Sequence, residues 1–207
     1  RLRRPDAGSL EVDGMAVDGL SQTAFARTVS YLPQILPEAP GLDVRALCAL
    51  GRYPWHGAFG RWTRADDRVV AESMAATGVA EFADALVDDL SGGERQRAWI
   101  AMALAQRAKC LLLDEPVSAL DIAHQVEVME LLARLNADTG STVVAILHDV
   151  NLAARYADRI VTLKQGRVAF DGAPAELMSS ERLSALFDHR FTIVPHPTDA
   201  RPVAVSA

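Results

Sequence analysis

Residues 109–121 read KCLLLDEPVSALD. The apolar run from Cys110 to Leu113 is continuous and far too short for a helix, and Pro116 closes it. A run of this kind is predicted to be a strand of a parallel sheet, buried on both faces. It ends in two adjacent carboxylates, Asp114 and Glu115. Ligands of an open parallel sheet sit at the carboxyl ends of its strands, so the pair marks a candidate site. Asp114 is a hard oxygen ligand suited to Mg2+. Glu115 is placed to polarise a water for in-line attack on a phosphoryl group. Acidic residues also simply solvate strand ends, and the surrounding sequence has to decide between the two readings.

Downstream, a helix over about Ile122 to Asn136 is predicted, with Ile122, Val126, Met129 and Ala133 on one face. TVVAIL (142–147) follows as a second apolar strand, and it too ends in polar residues, His148 and Asp149. Strands of this type joined by helices indicate a parallel sheet in an α/β core. A short helix, the hairpin-like RIVTLKQGRVAFDG and helices from Pro174 to Phe187 complete it.

Upstream, LSGGERQ (90–96) opens a helix expected from about Gly93 to Ala105. Ser91 and Glu94 form a capping box, which is explanation enough for those two residues. It leaves Gly92 and Gly93 unexplained. Without Cβ atoms they let a phosphate approach the free N–H groups of a helix start. Further upstream, about residues 41–90 read as a helical insertion: LDVRALCALGRY as one helix, then TRADDRVVAESMAATG with a Thr63–Asp66 capping box and a stop at Gly78. Between them lies the aromatic loop PWHGAFGRW. The first forty residues alternate short β-like runs with turns, including a hairpin signal at Asp13-Gly14 and a strand in TVSYLPQ.

Composition sets outer limits. The 207 residues are 50% apolar with a net charge of −6, so a packed domain is expected and a nucleic-acid partner is not. The two cysteines, Cys48 and Cys110, lie in apolar runs and read as reduced core thiols. The longest apolar run, AWIAMALA, falls far short of the roughly 20 residues of a membrane span, and no signal peptide is visible.

Taken together, LSGGERQ, LLLDEP, SALD and a strand ending in His148 resemble the ATPase subunits of ATP-binding cassette (ABC) transporters. LSGGERQ looks like the family signature, LLLDEP like its Walker B strand, SALD like its D-loop and His148 like its switch histidine. Gln34 in YLPQ matches the Q-loop glutamine. ALGRYPWHGAFGRW, ERQRAWIAMALAQ, SALDIAHQVEVMELL, HDVNLAARYADRIV and FTIVPHPTDARPVAV resemble the iron-siderophore importers of that family, nearest to the ferric hydroxamate import ATPases.

The resemblance implies an α/β fold: a P-loop NTPase-like parallel core over about 1–40 and 91–207, with a helical subdomain at about 41–90, in a single domain. It implies ATP and Mg2+ as ligands. Asp114 and Gln34 would hold the metal, Glu115 would activate water, and His148 would contact the γ-phosphate. Ser91, Gly92, Gly93 and Glu94 would close over nucleotide held by a second copy, with Asp121 at the interface. The implied partners are that second subunit, a membrane permease and, indirectly, a periplasmic siderophore-binding protein, with the ATPase peripheral on the cytoplasmic side of the inner membrane. The aromatic loop around Trp55 reads equally as a permease-facing surface or as a packed surface loop.

Two departures stand out. The family's G-x-x-x-x-G-K-[ST] loop is not in the sequence, whose two lysines, Lys109 and Lys164, are followed by Cys110 and Gln165. The opening RLRRPDAGSLEVDG lacks Met and resembles the segment just downstream of that loop and its helix in relatives. The chain is therefore expected to lack the phosphate-loop strand and helix, the aromatic residue that stacks on adenine, and ATP binding of its own. Apolar surface should be exposed where those elements pack, with poor stability of the fragment. The milder departure is Val117 in place of a common Thr. Two alternatives stay open: a non-catalytic partner that donates LSGGERQ to another subunit, and a DNA-linked ATPase of the same family.

Overall fold

The computed structural model describes residues 5–57 and 60–207, which form two compact units, Arg1–Ile146 and Leu147–Ala207. Arg1 to Arg4, at the start of the opening segment, and Ala58 and Phe59 of the aromatic loop lie outside the described residues.

The first unit begins with a hairpin, β1 (Glu11–Val12) and β2 (Met15–Ala16). Asp13 and Gly14 both take positive φ (55° and 72°), the paired left-handed turn that Asp-Gly favours. Next comes α1 (Gln22–Thr28), which the turn-rich reading of this region missed. Its signal was Ser21, whose Oγ accepts from the Ala24 N–H at 3.1 Å and caps the helix.

β3 (Val29–Leu32), β4 (Cys110–Asp114) and β5 (Thr142–Ile146) form a parallel sheet in the order β3-β4-β5. Tyr31 pairs with Leu112, and Leu112 with Val144. Between β3 and β4 the chain builds α2 (Val44–Leu50), α3 (Tyr53–His56), α4 (Arg64–Ala76) and α5 (Gly92–Ala105). Between β4 and β5 it builds α6 (Ile122–Thr139). α5 packs on β3, and α2 and α4 pack on α5. The core of this unit holds Val44, Leu47, Cys48, Val70, Ile100 and Leu113.

Several expectations need correction. LDVRALCALGRY is two helices, because the chain breaks at Gly51. A Cβ there would lie 2.2 Å from the Met102 carbonyl oxygen, so the glycine marks a contact between α2 and α5 too close for any side chain. Pro54, Trp55 and His56, read as loop, belong to α3. On α6 the expected face holds only in part: Met129 is buried and Val126 half-buried, but Ile122 is 81% exposed and Ala133 is exposed, whereas Val128, Leu131, Leu132 and Leu135 are buried. Those four keep the same helical spacing and offer more apolar bulk, so that stripe wins the core.

β5 is not buried on both faces. Val144 (48%) and Ile146 (54%) are exposed, as is Tyr31 (42%) on the same side of the sheet. Parallel sheets are normally covered on both faces; here this side of β5 presents apolar side chains to solvent.

The second unit holds α7 (Val150–Tyr156), the hairpin β6 (Ile160–Lys164) and β7 (Arg167–Gly172), then α8 (Pro174–Leu177) and α9 (Ser180–Phe187). Gln165 and Gly166 make the turn, both at positive φ. A final hairpin, β8 (Phe191–Pro195) with β9 (Pro202–Ser206), was not expected from local pattern. Its two prolines pair at the end joined by the connecting loop, and Asn151 ties it to α7 by bonding both the N–H and the C=O of Ala204. Ile160, Leu177, Met178, Leu183 and Ala204 form this unit's core.

Candidate functional site

The site starts from the tip of β4. Asp114 is the last residue of the strand and faces the same side as Tyr31, whose hydroxyl donates to Asp114 Oδ2 at 3.2 Å. Loss of solvent first, then the hydrogen bond to the Asp114 charge, raise the Tyr31 hydroxyl above its ordinary pKa. Glu115 follows with φ at +49°, a left-handed conformation that costs a non-glycine residue roughly 1–2 kcal/mol. Outliers of this kind gather where a side chain has to be aimed. The turn is held by Ser118, whose N–H and Oγ both reach the Glu115 carbonyl (3.3 and 3.2 Å). Gln34, two residues beyond β3, donates from Nε2 to Glu115 Oε2 at 2.7 Å. β3 and β4 are neighbours in the sheet, so their carboxyl ends bring Tyr31, Gln34, Asp114 and Glu115 together. Tyr31 was missed by sequence reading. Its signal was its place three residues before Gln34 in YLPQ, on an alternate strand position.

A second cluster gathers at the start of α5. Glu94 Oε2 accepts from the Ser91 N–H (2.9 Å) and from Ser91 Oγ (2.6 Å), completing the expected capping box. These hydrogen bonds from Ser91 hold the Glu94 carboxyl below the ordinary range. The two glycines differ. A Cβ on Gly92 would meet nothing within 4 Å, which leaves room for a ligand. A Cβ on Gly93 would lie 2.7 Å from Cδ2 of His124. Asp121 caps α6: its Oδ1 accepts from the His124 N–H (3.0 Å) and from His124 Nδ1 (2.8 Å), and both bonds lower its pKa. His124 was not picked out in the sequence. Nothing in its local pattern separates it from a surface histidine.

Arg95, one residue further along α5, donates to the Pro37 carbonyl (2.9 Å) and pairs with Asp88 (3.4 Å). It connects the segment following Gln34 to the helix that begins at Ser91. His148 lies at the start of the second unit, after Leu147, and the next residue, Asp149, caps α7 by accepting from Asn151 N and Leu152 N.

The profile of the ABC transporter family matches residues 1–118. The chain belongs to the ABC transporter family. Over 205 residues it is 40% identical to the ferric enterobactin transport ATP-binding protein FepC of Escherichia coli, covering 99% of this chain and 76% of that one. It is 42% identical to the iron(3+)-hydroxamate import ATP-binding protein FhuC of Bacillus subtilis over 207 residues, covering 100% and 77%. Among solved structures it is similar to the dimeric post-hydrolysis ATP-binding cassette MJ0796 bound to ADP and Pi, with TM-score 0.70, 28% identity, and coverage of 84% of this chain and 76% of that one.

As an ABC-family member the chain is a nucleotide-binding ATPase subunit. Its residues fit the metal half of such a site. Mg2+ is usually held by one or two carboxylates together with substrate phosphates and water. Asp114 supplies such a carboxylate, and Gln34, donating through Nε2, keeps its Oε1 as an acceptor. Both lysines are paired with carboxylates. Lys109 is paired with Asp13, and Lys164 with Asp188 and the Ala185 carbonyl. Among the described residues no helix is long and apolar enough to cross a membrane.

Proposed function

We propose that this chain is the core of an ATP-hydrolysing subunit that powers import of ferric hydroxamate siderophores through a membrane permease. The observation that carries the proposal is the Gln34–Glu115 hydrogen bond at 2.7 Å, with Asp114 beside it at the tip of β4. Asp114 and Gln34 would hold Mg2+, which would supply positive charge to neutralise the phosphate oxygens. Glu115, aimed by its left-handed backbone and oriented through Oε2, takes a proton from the attacking water. Such a base is worth roughly 10²–10⁴ in rate. His148 contacts the γ-phosphate.

Two copies act together. The amides of Gly92 and Gly93, in the first turn of α5, have no intrahelical acceptor, and together with the Ser91 hydroxyl they meet the phosphate of nucleotide held by the other copy. Glu94 keeps that helix start ordered through its box with Ser91, and Asp121 lies at the junction between copies. The ATPase is peripheral on the cytoplasmic face of the membrane and works with a periplasmic binding protein. The hydroxamate substrate is supported by the likeness to the hydroxamate import protein and by the share of both chains that it spans.

The test uses the full-length subunit assembled with its permease in vesicles. Mg2+-dependent ATP turnover, stimulated by binding protein loaded with a ferric hydroxamate, is expected. Absence of turnover removes the ATPase assignment. Stimulation by ferric catecholate, haem or cobalamin in its place removes the substrate assignment alone.

A further inference from the structure

The fit between His124 and Gly93 has no role in the scheme above. The imidazole is fixed at two edges. Nδ1 is 2.8 Å from Asp121 Oδ1, and a ring nitrogen facing a carboxylate carries the proton and donates. The Cδ2 edge lies where a Gly93 side chain would project. A Cβ there would sit 2.7, 3.1 and 3.2 Å from Cδ2, Cγ and Nε2 of His124. Only glycine admits the ring.

The same two helix starts meet again one turn along, where Arg97 NH1 donates to Glu127 Oε2 at 3.2 Å. That pair is on the surface and worth little energetically, but it places the first turns of the two helices within side-chain reach of each other. The charged groups around the imidazole are Asp121 on its own helix and Glu94 on α5, with Arg97 acting on Glu94 in turn.

We infer that His124 is a positioning residue: it locks the Asp121 turn to the start of α5, so that the two segments facing the second copy move as one body. The inference rests on the function proposed above, in which Ser91–Gly93 meet the nucleotide held by the other copy and Asp121 lies at the junction between copies. A rigid link matters there because a misplacement of about 1 Å can cost roughly 10²-fold in rate.

The experiment is a double-mutant cycle on ATP turnover by the full-length subunit with its permease. Gly93→Ala drives a methyl into the ring and is expected to lower turnover by about tenfold or more. Added to His124→Ala, the same methyl enters vacated space, so its further cost is expected to fall to about twofold or less. Equal costs of Gly93→Ala in both backgrounds overturn the inference, because the glycine is then demanded by the nucleotide and not by His124.

A second pair of variants covers the case in which Gly93→Ala does not fold. His124→Asn keeps a donor for Asp121 and is expected to retain turnover within about twofold, whereas His124→Leu, of similar bulk without the donor, loses about tenfold with an unchanged melting temperature. Equal loss in both overturns the inference. Wild-type protein that binds but does not turn over ATP overturns the proposed function and this inference with it. Wild-type turnover with additive costs overturns the inference alone.

Discussion

Replacing Asp66 by Asn disturbs three neighbours, Arg52, His56 and Thr63, that share one buried carboxylate. Asp66 is 2% exposed. Its Oδ1 accepts from Arg52 Nε at 3.0 Å and lies 2.7 Å from His56 Nε2. Its Oδ2 accepts from the Thr63 N–H (3.0 Å) and Thr63 Oγ1 (2.6 Å), closing the capping box of α4. Arg52 in turn donates to the Ala105 carbonyl at 2.8 Å, and Trp55 donates to that of Gln106, so this carboxylate anchors α3 and α4 to the end of α5. An amide cannot serve both sides: its NH2 must face either the Arg52 N–H or the Thr63 N–H. Breaking a buried pair from one side costs roughly 3–5 kcal/mol. The lower figure applies here, because Arg52 keeps its bond to Ala105. At ~2–4 °C per kcal/mol for a chain of this size, a cost of about 3 kcal/mol lowers the melting temperature by roughly 6–12 °C.

The effect has a pH signature. Burial by itself would raise the Asp66 carboxyl, but hydrogen bonds from Thr63, His56 and Arg52 outweigh it and hold the group far below the ordinary carboxylate range. The folded state therefore favours the ionised form. That stabilisation is fully present above the unfolded value of about 3.9 and is lost as pH falls from there toward the depressed folded value. Thermal unfolding of both proteins followed by circular dichroism between pH 3 and 8 should show a constant gap above about pH 5 that narrows below about pH 4. A gap smaller than about 2 °C at neutral pH, or one that does not narrow in acid, would refute the network as described.

Gly51→Ala should cost about 1–3 kcal/mol, read as a lower urea midpoint, because its methyl would overlap the Met102 carbonyl at the contact of α2 with α5. An unchanged midpoint would mean that this contact is looser than described. Burial pushes the Cys48 thiol up to about 12. At pH 8 only about 10⁻⁴ of it is thiolate, so iodoacetamide should leave it unmodified in folded protein for hours. Alkylation within minutes would show that the core around α2 opens.

The parts of the fold set by local periodicity and turn chemistry were legible. CLLLD and TVVAI are parallel strands, Asp13-Gly14 turns a hairpin, and Thr63 and Ser91 open helices with their boxed carboxylates. What was not legible depends on contacts distant in sequence. The break at Gly51 is set by Met102 on another helix. The buried stripe of α6 and the open face of β5 depend on what packs against each, which periodicity alone does not say. Within the candidate site, Gln34, Asp114 and Glu115 were readable as types in a spacing. Their meeting, and the service of Tyr31 to Asp114, required strands β3 and β4 to be neighbours. His124 could not be found from sequence, because its partner is the absent side chain of Gly93.

In the proposed mechanism the carboxyl ends of β3 and β4 would hold the reacting group, and the box at Ser91 with the inferred lock at Asp121 would present the helix start that a second copy needs. Glu115 is the residue on which that proposal turns. The most direct measurement compares wild type with Glu115→Gln in the full-length subunit, recording MgATP binding by calorimetry and ATP turnover on the same preparations. The mechanism predicts binding within about twofold of wild type, with turnover reduced by roughly 10²-fold or more. Near-normal turnover in Glu115→Gln would contradict it and remove Glu115 as the base.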